Sequence, residues 1–130
     1  MNLNFKKIIL SFTLDRMIFL IKKHFIMQRL AFKMKLNKGQ KEAYKARHNQ
    51  LWPELKKLLK DHGVSEYSIF LDEETSTLFA FQKVTGAGGS QDLAHNPIVK
   101  KWWDFMADIM EVNPDNSPVS IPLEEVFYLE

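Results

Sequence analysis

The 130-residue chain contains no cysteine, which excludes disulfides, thiolate nucleophiles and cysteine-based zinc sites. Its five glycines and five prolines are too few for a low-complexity or collagen-like chain. An uninterrupted stretch of about 20 apolar residues, the length a membrane-spanning helix needs, is also missing. So is an excess of one charge, since 18 Lys and Arg face 16 Asp and Glu. Phosphate binding needs clustered cations that displace counterions, and this balance argues against nucleic acid as a partner. What is present is an ordinary globular composition, 45% hydrophobic and 26% charged, in a length that suits one domain of roughly 100–150 residues.

The charge is unevenly spread. Residues 1–26 hold five Lys and Arg against Asp15 alone, a net +4, whereas residues 27–130 hold thirteen against fifteen acidic residues, a net −2. The first segment has apolar runs at Ile8–Leu10 and Met17–Ile21, broken by lysine pairs and by Asp15-Arg16. An Asp-Arg pair at mid-bilayer costs several kcal/mol, so no membrane span is expected. A secretory signal would end in a small-residue cleavage site, and none follows. A basic amphipathic segment lying on a membrane surface is the alternative. We read residues 1–26 as an extension outside the fold, Met27 as the functional start, and residues 27–130 as the domain.

Gln28–Leu36 alternates Leu30, Phe32, Met34 and Leu36 with Arg29, Lys33 and Lys35, the period of a half-buried strand. Asn37 with Gln40 three residues on resembles a capping box and predicts a helix start there. Pro53 predicts a kink or restart near Asn49–Trp52, after which Leu51, Leu55, Leu58 and Leu59 run to a stop at Gly63. Val64–Leu71 and Thr77–Val84 are strand-like around the polar turn Asp72–Ser76, an antiparallel hairpin. Thr85–Ser90, TGAGGS, is a loop. Asn96 then caps a helix with Pro97 in its first turn, and Ile98, Trp102, Phe105, Met106 and Ile109 extend it to about Met110. Asn113–Pro118 is a turn, and Glu125–Leu129 is predicted to close the chain as a strand. The order β-α-β-β-α-β is that of an α+β, ferredoxin-like (split βαβ) domain: a four-stranded antiparallel sheet with helices on one face. The other face, bearing Tyr, Phe and Leu side chains, needs a ligand cavity or a partner subunit to cover it.

Tyr44 and His48, four residues apart on the first helix, project from one face, and a near-neutral histidine beside a phenol is an acid/base pair in reach of one substrate. The same spacing also arises on any helix surface. Tyr67 shares its strand face with Ile69 and Leu71, where ordinary packing with a solvated hydroxyl serves equally well. Trp102 and Trp103 point about 100° apart on a helix, so one can border a cavity, where an indole face suits the C–H face of a sugar, although core packing of both is the expectation from the residues alone. His62 and His95 form no metal constellation, and Asp72, Glu73 and Glu74 read as a solvated run. TGAGGS lacks the Gly-Lys-Ser/Thr ending of a phosphate loop.

Together, AYKARHNQLWPEL (Ala43–Leu55), SIFLDEETSTLFA (Ser68–Ala80), KWWDFMADIM (Lys101–Met110) and NPDNSPVSIPLEEVFYLE (Asn113–Glu130) resemble the L-rhamnose mutarotase family over Met27 to Glu130. The resemblance implies a cytoplasmic isomerase that interconverts the anomers of L-rhamnose without metal or other cofactor. It implies His48 as the catalytic acid, with Tyr44, Tyr67, Trp102 and Trp103 contacting the sugar. It also implies a homodimer, a dimeric α+β barrel joined through its sheets. Mutarotation needs a proton taken from the anomeric hydroxyl and one delivered to the ring oxygen. Tyr44, a water or a substrate hydroxyl are the choices for the second transfer. Monooxygenases with dimeric α+β barrels, haem-using or cofactor-free, and a non-catalytic sugar-binding module are the competing readings.

Overall fold

The computed structural model describes residues 6–8, 10–11, 13–18, 26–86 and 88–130. Residues 6–8, 10–11 and 13–18 are helical and solvent-exposed, while the remainder of segments 8–10 and 17–21 lies outside the described residues. No described helix is long and apolar enough to cross a membrane. From Met27 the chain runs through β1 (Met27–Lys35), α1 (Lys41–Asn49), α2 (Pro53–Asp61), β2 (Val64–Asp72), β3 (Thr77–Thr85), α3 (Pro97–Met106) and β4 (Ile121–Leu123). The strands form one sheet in the order β2-β3-β1-β4, and every pairing is antiparallel. That is the ferredoxin-like arrangement expected from the order of elements.

The alternation of β1 decides which face carries the core. Phe32, Met34 and Leu36 are buried, and beside them on β3 stand Leu78, Ala80, Gln82 and Val84. This face packs against Tyr44 of α1, Leu55 of α2, and Val99, Trp102, Trp103 and Met106 of α3. β2 joins the same layer through a bulge. Its register to β3 shifts between Ser65 and Ser68, and Glu66 takes a positive φ of 46°. Strict alternation from the buried Val64 would aim Glu66 and Ser68 at the helices. The extra residue puts Tyr67, Ile69 and Leu71 there instead, packed on the core.

Several element ends differ from the sequence expectation. The first helix begins at Lys41, and its N-cap Gln40 makes no side-chain capping bond. Asn37 is diverted: its backbone N–H donates to Ile109 O (2.8 Å) and its Nδ2 to Asp108 O (3.2 Å), tying the end of β1 to the segment after α3. The second helix starts at Pro53, in the first turn where a missing N–H costs nothing. Asn96 caps α3 as expected, its Oδ1 accepting from Ile98 N at 2.9 Å. That helix ends at Met106 and tightens into a 3-10 turn over Ala107–Ile109, which frees Met110 to bridge Leu36.

The last strand is Ile121–Leu123, not Glu125–Leu129. It pairs with β1 over three residues only, and the central one, Pro122, has no N–H to donate. Past Leu123 the side chains hold on where the backbone ladder lapses. Arg29 grips Glu125 with two bonds of 2.9 and 2.7 Å, and its guanidinium lies 3.4 Å over the Tyr128 ring. Val126, Phe127 and Leu129 remain about four-fifths or more exposed.

No described element covers the second sheet face. Across it run two cross-strand rows, Ser68–Phe81–Ala31–Leu123 and Phe70–Phe79–Lys33–Ile121. Phe70 is 67% exposed and Phe79 41%.

Gly63 shows how tightly α2 is turned into β2. It stands at φ +82°, and its carbonyl accepts from Thr85 N at 3.0 Å. A Cβ built there runs into the backbone oxygen of Thr85. Gly63→Ala therefore combines a left-handed non-glycine residue with a clash against backbone, and we expect a loss of about 2 kcal/mol or more. Urea denaturation measures it, and an unshifted midpoint would show that the turn relaxes.

Candidate active site

The helix-covered face of the sheet encloses an open cavity of about 560 Å³, within the range usual for small-ligand sites. All five residues singled out from the sequence line it: Tyr44 and His48 from α1, Tyr67 from β2, and Trp102 and Trp103 from α3. Trp102 and Trp103 are both buried, at 8% and 5% exposure. Both therefore pack in the core, and both also line the cavity, on the one face of α3 that carries Val99 and Met106.

His48 sits at the centre of an aromatic frame. Its ring stacks on Tyr44 with centroids 4.2 Å apart and planes at 27°, and it meets Trp102 edge-on at 5.3 Å. Trp102 is itself held edge-on by Trp52 at 5.1 Å. One turn of helix brings the imidazole Nδ1 within 2.9 Å of the Tyr44 carbonyl oxygen. A carbonyl only accepts, so Nδ1 carries the hydrogen and Nε2 holds a lone pair. Burial lowers the His48 pKa below its ordinary value of 6.5, opposed by this backbone bond. Near neutral pH the ring is therefore uncharged, a base at Nε2.

The neighbouring phenols shift the other way. Burial raises Tyr44 well above the ordinary tyrosine value, and the nearby Tyr67 phenol adds to it. Burial also raises Tyr67, partly offset by a hydrogen bond from Ser90. Both remain protonated across the working range. Arg47 secures the frame from outside: its guanidinium donates to Phe105 O (2.8 Å) and to both Asp108 carboxylate oxygens (2.7 and 3.1 Å), clamping α1 to the end of α3.

Sequence reasoning missed a polar group at this wall. Gln82, fully buried on β3, donates from Nε2 to Ser90 Oγ at 2.8 Å and accepts from Ser90 N at 2.8 Å. Ser90 Oγ in turn lies 3.4 Å from the Tyr67 hydroxyl. The signal was available in β3, where Gln82 interrupts the apolar parity of Leu78, Ala80 and Val84. The TGAGGS loop makes the contact possible, since a Cβ on Gly89 would stand 2.5 Å from Gln82 Oε1.

Both the sequence and the fold of the chain have known relatives. A protein from Formosa agariphila named L-rhamnose mutarotase is 86% identical over 104 residues, 80% of this chain and all of that one. One of the same name from Bacteroides thetaiotaomicron is 64% identical over the same share of each chain. The crystal structure of L-rhamnose mutarotase from Formosa agariphila superposes with a TM-score of 0.74 at 82% identity, covering 79% of this chain and 99% of that one. The family model described as L-rhamnose mutarotase matches residues 29–129, the stretch that supplies all but the first two residues of the sheet, the three helices of the cavity and every residue in its wall, so the chain belongs to the L-rhamnose mutarotase family.

Proposed function

We propose that this protein is an isomerase that interconverts the α and β anomers of L-rhamnose, with His48 as its acid/base group and Tyr44, Tyr67, Trp102 and Trp103 holding the sugar. The observation that carries this reading is the placement of His48, its Nδ1 bonded to the Tyr44 carbonyl and its ring stacked on Tyr44, in the wall of a cavity that two indoles also line. An apolar C–H face of a deoxy sugar suits the indoles, while its hydroxyls need the phenols and the imidazole.

In ring opening, Nε2 of His48 takes the anomeric proton while the C1–O5 bond breaks and its electron pair goes to the ring oxygen, which is protonated. The freed aldehyde rotates about C1–C2. Reclosure on its other face returns the proton from the imidazolium to O1, so His48 is base in opening and acid in closing. Every step uses protons alone.

Saturation-transfer NMR of the anomeric protons of L-rhamnose, with and without protein, tests the reading. Binding without faster exchange would favour a sugar-binding module instead. The pH dependence has a fixed sign. Because the base must be uncharged and burial lowers its pKa, catalysed exchange rises with pH to a plateau, with its midpoint below 6.5. A midpoint at or above 6.5 would contradict His48 as a half-buried base.

We further propose that the enzyme is a cytoplasmic homodimer joined through the uncovered sheet face, and that residues 1–26 stand outside its fold. Supporting the second point, the family model begins at residue 29, and 104 residues of this chain account for the full length of the relatives above. A chain starting at Met27 is expected to match the full chain in exchange rate and melting temperature. A melting point several degrees lower would make the extension part of the folded unit. Sedimentation of the full chain alone with anionic liposomes would make it a surface anchor.

A further inference from the structure

The hydrogen-bond chain Gln82–Ser90–Tyr67 has a direction, and the direction follows from chemistry at its first link. The Ser90 backbone N–H can only donate, so the Gln82 atom facing it at 2.8 Å is Oε1. That orients the amide, and Nε2 donates to Ser90 Oγ at 2.8 Å. Gln91 Nε2 approaches the same oxygen at 3.3 Å. With its lone pairs taken by two donors, the serine has only its own hydrogen to offer Tyr67, 3.4 Å away. The Tyr67 oxygen is therefore an acceptor toward Ser90, which leaves its own proton for another acceptor, and Tyr67 lines the cavity that His48 also lines. Phe32 packs edge-on to the Tyr67 ring at 6.5 Å and limits its swing.

We propose that Tyr67 is the second proton-transfer group, delivering its hydroxyl proton to the ring oxygen as the C1–O5 bond breaks, and that Gln82 and Ser90 are positioning residues that hold it as a donor. This rests on the mutarotase reading above. In opening, His48 Nε2 gains the O1 proton, the C1–O5 electron pair moves to O5, and O5 takes the proton of Tyr67, leaving imidazolium and phenolate. In closing, the phenolate recovers that proton as O5 attacks C1, and the imidazolium protonates O1. The enzyme ends as it began. Burial supports the assignment, because a phenol raised above its ordinary value stays protonated and approaches the basicity of the alkoxide it serves.

The test is a double-mutant cycle on catalysed L-rhamnose exchange, with melting curves for every variant. Tyr67→Phe is expected to lower the rate at saturating sugar about 100-fold, the scale of a lost general acid. Ser90→Ala is expected to lower it about 10-fold with the KM little changed, as loss of orientation rather than of binding. In the Tyr67→Phe background, Ser90→Ala should cost nothing further, because the group it positions is gone. A Ser90→Ala penalty of the same size in both backgrounds overturns the proposal. So does a Tyr67→Phe enzyme with the wild-type rate. If Ser90→Ala melts below the assay temperature, Gln82→Met cuts the chain one link earlier and takes its place in the cycle. Failure of the mutarotase reading looks different: wild-type protein itself would not accelerate exchange, and the proposal falls with it.

Discussion

His48→Ala is expected to abolish catalysed anomer exchange while leaving the fold intact. In the proposed mechanism the Nε2 lone pair is the base of the opening step, and alanine has no substitute for it. General acid/base catalysis contributes about 10²–10⁴-fold, so the variant should fall to near the spontaneous rate. The structural cost is small by comparison. His48 is partly exposed, alanine is the best helix former, and what disappears is one stacked contact with Tyr44, one edge contact with Trp102 and the Nδ1 bond to the Tyr44 carbonyl. Contacts of that kind contribute about 1 kcal/mol each. Saturation transfer at equal protein concentration, beside a far-ultraviolet melting curve, separates the two effects. Wild-type exchange in a folded His48→Ala protein would remove His48 from the mechanism.

The second large effect concerns assembly. Phe79→Asp is expected to turn the proposed homodimer into a folded monomer. Phe79 pairs across strands with Phe70 and Lys33 in the middle of the uncovered sheet face, where no described element of its own subunit reaches it. Its side chain contributes little to the subunit's own core, so the fold should persist. In a sheet-to-sheet dimer the same position is interior. A carboxylate buried there without a partner costs several kcal/mol, which weakens association by about a thousandfold. Sedimentation at micromolar concentration reads the change. A wild-type protein that sediments as a monomer would sink the dimer, and an unaltered Phe79→Asp dimer would place the interface elsewhere.

Much of this architecture was legible in short-range pattern. The parity of Leu30, Phe32, Met34 and Leu36, the hairpin around Asp72–Ser76 and the Asn96-Pro97 helix start each depend on residues within a few positions of one another, and each appears in the structure. The errors fell at ends decided by distant partners. Asn37 has the makings of a cap, but Asp108 and Ile109 claim it first. Glu125–Leu129 has strand-like composition, yet a strand exists only where a neighbour completes its ladder, and the described chain supplies one for Ile121–Leu123 alone.

The candidate site divides in the same way. Local spacing by itself determined that Tyr44 and His48 share a helix face and that β2 carries Tyr67 beside Ile69 and Leu71, because side-chain direction within one element follows from its period. Three matters belonged to tertiary structure. The bulge at Glu66 put Val64 and Tyr67 on the same side of the sheet, and only pairing with β3 shows where that extra residue sits. The approach of α3 to α1 set Trp102 against His48. The close approach of Gly89 and Ser90 to Gln82 made a buried glutamine and a serine, eight residues apart, into the support of a tyrosine on another strand. A hydrogen bond has a range of about 3 Å, and no sequence pattern encodes which distant groups arrive within it until the chain is folded.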